Sequence, residues 1–147
     1  MLKKNKQDDE ACLQEVRQKK PAEVSYQLNE EMSRLNDAIY EGSYNAPLLD
    51  FTESQYTFYT PADTGTGIAY KGLIVYDLAV LGLTKLPLLV HDSVILKQIS
   101  DDAIEQIITL YANAGKQVII ALDKQTSYTE NTEKILNECA VLRLAFC

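Results

Sequence analysis

An α/β fold is predicted, with a parallel β-α-β-α-β core preceded by an amphipathic helix and a β-hairpin. Three observations predict it. Val24, Leu28, Met32, Leu35 and Ile39 recur at helical spacing with polar residues between them. The run Tyr56-Thr57-Phe58-Tyr59-Thr60 is aromatic and β-branched, which suits a strand. Beyond it, short apolar runs alternate with helical patterns, the rhythm of parallel strands joined by right-handed crossovers.

The elements follow in order. Residues 1–21 form a polar, weakly patterned lead, and Pro21 is expected to end or restart whatever precedes it. The apolar stripe then gives a helix over residues 22–41, stopped by Gly42. That stripe also fits a short heptad seam, so it is either a helix packing on its own domain or the stub of a coiled coil. Residues 48–51 and 56–60 make the hairpin, turning near residues 52–55 and closed by Pro61. Residues 68–83 are apolar nearly all round, the mark of a buried helix. A core strand over residues 86–90 ends in His91-Asp92-Ser93. Ser100 caps a helix bearing Ile104, Ile107, Ile108 and Tyr111 on one face, and Gly115 stops it. Residues 118–122 form a second core strand, ending in Asp123. Ser127 to Glu130 has capping-box spacing and opens a helix to about Glu138, and residues 140–146 form a last strand.

The chain has 147 residues, 46% hydrophobic and 24% charged, the size and balance of one ordinary globular domain covering residues 22–147. This composition excludes a disordered tail, a collagen-like repeat and a disulfide scaffold. Fourteen Lys and Arg face 21 Asp and Glu, a net charge of −7. Such a surface is a poor clamp for a nucleic-acid backbone, so DNA contact is not predicted for this lobe. Cys12, Cys139 and Cys147 lack CxxC spacing, and His91 is the single histidine, so a zinc site is not predicted. The start is polar, without the apolar stretch of a signal peptide, and Lys71 and Asp77 interrupt the longest apolar tract. A cytoplasmic protein without a membrane partner is expected.

Chemistry concentrates in two places. In Asp63-Thr64-Gly65-Thr66-Gly67, glycines beside hydroxyl residues let backbone amides approach a ligand, and the helix start beyond offers N–H groups to a phosphate. The same residues also fit a tight turn in which Thr64 or Thr66 caps the helix. The P-loop spacing GxxxxGK[ST] is absent from the chain. The second place is the end of the first core strand. Asp92 could orient a magnesium-bound water there, or simply cap the next turn. Asp123 ends the following strand, so both carboxylates could face one site, because ligands gather at the carboxyl ends of parallel strands. His91 reads as a packed, hydrogen-bonded histidine, and Ser93 lacks the glycines of a nucleophile elbow.

Asp63 to Gly67, the tract from Ala69 through Asp92-Ser93, and the run from Lys116 to Lys124 together resemble the C-terminal lobe of an ABC-type ATPase head. Such P-loop NTPase-like heads occur in chromosome-maintenance and coiled-coil DNA-repair ATPases. The resemblance is closest to the bacterial domain-of-unknown-function 2326 family and spans about residues 22–146. It implies that Thr64, Gly65, Thr66 and Gly67 lie at the signature loop, which reaches the γ-phosphate bound on a partner head. It implies that Asp92 is the Walker B aspartate that orients magnesium, and that Asp123 lies near the switch position. The helix over residues 22–39 matches the returning arm of a coiled coil.

Ser93 stands where those ATPases usually carry the glutamate that polarises water, Asp63 stands where a leucine normally begins the signature, and no histidine follows the second strand. The expected function is therefore one half of an ATPase head. ATP and magnesium would bind only in the assembled head, with a P-loop-bearing lobe of the same or another chain, and heads would pair as a homodimer. The chain alone is expected to be inactive, since serine is a poor base at neutral pH. The alternatives are a non-catalytic dimerisation module that keeps the lobe fold, and a small hydrolase or phosphotransferase using Asp92 and Asp123.

Overall fold

The computed structural model describes residues 2–52, 54–63, 65–123 and 128–143. These residues make a mixed α/β body of five helices and two small sheets. Helix α1 (Leu2–Tyr40) leads into a hairpin of β1 (Leu48–Phe51) and β2 (Tyr56–Tyr59). Next come α2 (Thr66–Leu83), β3 (Leu88–His91), the single turn α3 (Ser93–Leu96), α4 (Asp101–Ala112), β4 (Gln117–Ile120) and α5 (Glu130–Cys139).

The boundary expected at Pro21 is not a break in secondary structure, since α1 runs through it. Proline removes one amide donor, and the turns on either side carry the helix across that loss. The buried stripe also begins later than its spacing predicts. Leu28, Met32, Leu35 and Ile39 are buried, whereas Val24 is 43% exposed, so the core starts one turn further along. Gly42, at φ +77°, ends the helix in the left-handed region that favours glycine.

The hairpin forms as expected, antiparallel, with Leu49 opposite Phe58 and Phe51 opposite Tyr56. Helix α1 closes the free edge of β1. Asn29 accepts from the Leu49 amide at 2.8 Å and donates to the Leu49 carbonyl at 3.0 Å, and Ser25 Oγ accepts from the Phe51 amide at 3.0 Å. Two polar side chains on the helix thus do the work of a third strand.

Helix α2 is long and apolar enough to cross a membrane by length and composition. Here it is a core helix. Ile74, Val75, Leu78, Ala79 and Leu81 are buried and join the cluster formed by α1, Leu49 of β1, and Ala103, Ile104, Ile107, Ile108 and Tyr111 of α4. At its C-terminus Lys116 Nζ donates to the carbonyls of Leu81 and Thr84 at 2.5 Å each, a cation placed on the negative end of the helix dipole.

β3 and β4 pair in parallel, Leu88 beside Gln117 through His91 beside Ile120, and the Ala121 amide extends the ladder by bonding the His91 carbonyl. The third strand of the predicted core is not seen over residues 140–143, where Val141 and Leu142 are exposed. A strand needs a neighbour to satisfy its backbone, and none of the described strands pairs with these residues. Residues 144–146 of that expected strand lie outside the described ones. The observed core is therefore β-α-β-α with two strands.

Candidate functional site at the carboxyl end of the parallel pair

Asp92 leaves β3 as the N-cap of α3. Its Oδ1 accepts from the Val94 amide at 3.2 Å and from Ser93 Oγ at 3.1 Å. Both bonds fall on one oxygen of an exposed carboxylate. Ser93 is held as a donor to that carboxylate, so it is not placed to take a proton from water. Asp123, beyond β4, forms an ion pair with Lys97, the residue that ends α3. The two strand-end carboxylates thus share one short element, Asp92 at its start and Asp123 tied to its end.

The glycine turn reaches the same region by a different route. Gly65 is the N-cap of α2, in extended backbone and without a side-chain cap bond, while its own amide donates to Asp63 Oδ1 at 3.4 Å. Thr66 is already the first helical residue, so it is not the cap that one sequence reading gives it; Thr64 lies outside the described residues. Gly67 has a packing reason. A Cβ there would sit 2.6 Å from the carbonyl oxygen of Gln98, so no larger residue fits while α2 rests on the segment that leaves α3. The structure therefore brings Gly67 against Gln98, two residues beyond α3, and connects the turn to the element that Asp92 caps.

Behind Asp92 lies a network that sequence reasoning did not assemble. His91 is buried, and both ring nitrogens are engaged. Nδ1 meets the Tyr111 hydroxyl at 2.6 Å, and Nε2 meets Asp77 Oδ2 at 3.0 Å. An imidazole with its proton on Nε2 donates to the carboxylate and accepts from the phenol. Burial, with the Asp77 charge added, pushes the Tyr111 hydroxyl well above the ordinary tyrosine range. The network ties the end of β3 to α2 and α4, so the residue before Asp92 is fixed from two sides. The signal was present in Asp77, a charge inside a largely apolar helix, but its partner His91 is 14 positions away, and Tyr111, which bonds that imidazole, is 34 away.

Lys71 is the second charge in that helix and is 1% exposed. Its ammonium donates to Asn36 Oδ1 at 3.0 Å and to the Asn45 carbonyl at 3.3 Å, and lies 4.9 Å from the centre of the Tyr40 ring. Desolvation lowers its pKa from the ordinary lysine value. At the far side of α4, Glu105 accepts from the Thr129 amide and from the Thr129 and Thr132 hydroxyls, and these bonds hold its carboxyl below the usual range. A carboxylate from a neighbouring helix thereby caps α5, in place of the capping box expected from Ser127 to Glu130; Ser127 lies outside the described residues.

No group of three or more His, Cys, Asp or Glu side chains that could hold a metal ion occurs among the described residues. Asp92 can offer one carboxylate to a hydrated cation, the kind of single ligand that magnesium accepts when it keeps its waters.

A family model described as an uncharacterised protein conserved in bacteria, domain of unknown function 2326, matches residues 35–145. The chain belongs to this family. The match to domain-of-unknown-function family 2326 begins in the last turns of α1 and takes in the hairpin, the glycine turn, Asp92 and Asp123. No curated protein and no solved structure matches the chain.

Proposed function

We propose that this chain is the C-terminal half of an ABC-like ATPase head. It would supply the glycine turn at residues 64–67 and the magnesium-orienting Asp92 to ATP held by a P-loop-bearing lobe. The observation that supports this reading most is the unfinished state of the parallel sheet. Parallel strands belong to sheets covered on both faces. Here Leu89, His91, Val118 and Ile120 point towards the helices, while Leu88, Val90 and Ile119 on the opposite face are exposed. Two strands with one bare apolar face are half of a layered domain, and Asp92 and Asp123 follow their carboxyl ends, where ligands of such domains gather.

Bound magnesium would neutralise phosphate charge; this chain's contribution is positioning. Asp92, exposed and bonded through one oxygen, can hold a water of the ion. The first amides of α2 can donate to a phosphate oxygen, and the N-terminal end of the helix dipole favours the anion. Ser93 does not serve as the base, because its hydroxyl donates to Asp92.

Equilibrium dialysis for binding and phosphate release for turnover, both with ATP and magnesium, test the reading on the chain alone and mixed with a P-loop-bearing lobe from the same family. The expected result is no turnover by the chain alone, nucleotide binding by the mixture, and at least about tenfold weaker binding with Asp92→Asn. ATP turnover by the purified chain, or mixture binding indifferent to Asp92→Asn, overturns it.

A second reading is supported by the structural use of both carboxylates: Asp92 caps α3 and Asp123 holds its other end. In that reading the lobe is a non-catalytic dimerisation module. An oligomeric state that ATP and magnesium leave unchanged would favour it.

A further inference from the structure

The two edges of the hairpin are treated differently. β1 is sealed by Asn29 and Ser25, whereas among the described residues no strand or side chain pairs with the outer edge of β2. The register fixes which groups that edge offers. The Leu49 and Phe51 amides turn to α1, so Leu48 and Asp50 bond across to Tyr59 and Thr57. The backbone groups of Phe58 and Tyr56, opposite Leu49 and Phe51, must then point outward.

Natural sheets blunt such edges with lysine, proline, bulges or a covering element. β2 carries none of these. It reads Tyr-Thr-Phe-Tyr, every residue is exposed, and Tyr56 is 69% exposed. Beside it lies a groove of about 380 Å3 lined by Phe58, Tyr59, Ile68 and Leu73 among others.

We propose that β2 pairs with β2 of a second copy of this chain, antiparallel about a two-fold axis at Thr57. The occupant follows from the symmetry of the edge. The two outward-facing residues flank Thr57 evenly, so Tyr56 of each copy falls opposite Phe58 of the other, and each such pair exchanges both N–H···O bonds. Thr57 meets its own counterpart in the intervening non-bonded pair. Directly paired residues share a face, so the exposed Tyr56 ring of one copy lies beside Phe58 and the groove of the other. Charge points the same way. Two chains of net charge −7 meet most readily where charge is sparse: β2 itself carries none, and the described carboxylates beside it are Asp50 of β1, opposite Thr57, and Asp63 in the groove. A four-residue edge buries less than a standard interface, so the association belongs to the weak, concentration-dependent class. This pairing does not rest on the nucleotide reading and is independent of ATP.

Sedimentation velocity on the full chain, over a wide concentration range and without nucleotide, tests it. The expected result is a reversible monomer–dimer equilibrium. Tyr56→Pro removes an outward amide that each copy would donate, leaves the bonds from β2 to β1 in place, and should weaken the dimer at least about tenfold. Thr57→Cys, whose partners would stand at about the spacing that a disulfide spans, should cross-link through residue 57 on oxidation, whereas Tyr59→Cys should not cross-link to itself. Circular dichroism verifies that each variant is folded. A monomer at every concentration, or a dimer insensitive to Tyr56→Pro and not cross-linked by Thr57→Cys, overturns the proposal.

Discussion

The hairpin and the parallel pair are both two-stranded and both lie on helices, yet they leave different surfaces open. β1 has its core face under α1 and its free edge bonded to Asn29 and Ser25. β3 and β4 have one face on α2 and α4, and the other shows Leu88, Val90 and Ile119 to solvent. The difference teaches where the chain is self-sufficient. Around α1, β1 and α2 the polar side chains that are buried have partners within the chain, Ser25, Asn36 and Lys71 among them. Around the parallel pair it supplies apolar surface that nothing in the described residues covers. A region that satisfies itself reads as foundation, and one that leaves a face bare reads as an interface.

Perturbing the finished side should cost most. Asn36→Leu removes the side-chain oxygen that Lys71 bonds and the amide that donates to the Tyr44 carbonyl, leaving a buried ammonium with the Asn45 carbonyl and the Tyr40 ring. A loss of about 3 kcal/mol is expected from urea unfolding. A loss below about 1 kcal/mol would mean that this cluster is not the foundation it resembles.

Tyr111→Phe comes next, since it takes the phenol from His91 Nδ1 where the finished core meets the end of β3. The expected loss is about 2 kcal/mol near neutral pH. The pH profile gives a second reading. The Tyr111 pKa is raised in the folded state, so folding holds its proton while the unfolded chain releases it. That contribution is complete below the ordinary tyrosine pKa of about 10 and is lost as pH rises beyond it. Stability curves of the parent chain should fall on that alkaline side, and those of Tyr111→Phe should fall less.

Opening the edge of β1 is a smaller change. Ser25→Ala and Asn29→Ala should each cost about 1 kcal/mol, with faster amide exchange at Phe51 and Leu49 respectively. If exchange stays slow, helix side chains are not what protects that strand.

The smallest effect on stability is expected on the bare face. Val90→Lys should change the unfolding free energy by no more than about 0.5 kcal/mol, because the side chain is exposed already. It should nevertheless block assembly with a P-loop-bearing lobe, measured by co-elution. If the lobe still co-elutes, the bare face of the parallel pair is not the joining surface.

Much of this organisation is legible in the residues alone, and each legible part is local. The spacing of Leu28, Met32, Leu35 and Ile39 gives a helix, the aromatic run opposite Leu48 to Phe51 gives a hairpin, and Ser100 and Gly115 bracket α4, Ser100 at the N-cap position without the hydroxyl bond expected of it and Gly115 in left-handed backbone at φ +66°. Family membership is equally a property of the string. What the string leaves open is how distant polar residues are used. Lys71 and Asp77 read only as interruptions of an apolar helix until folding sets one against Asn36, 35 positions away, and the other against His91, 14 positions away. Gly67 reads as room for a phosphate, and tertiary packing uses it as room for the Gln98 carbonyl. Residues 140–143 have strand composition and form no strand, because pairing is decided by which neighbour the fold brings alongside. Periodicity and caps act over a few residues and are written in order along the chain. Burial, charge pairing and sheet completion act across tens of residues, and only the assembled fold determines them.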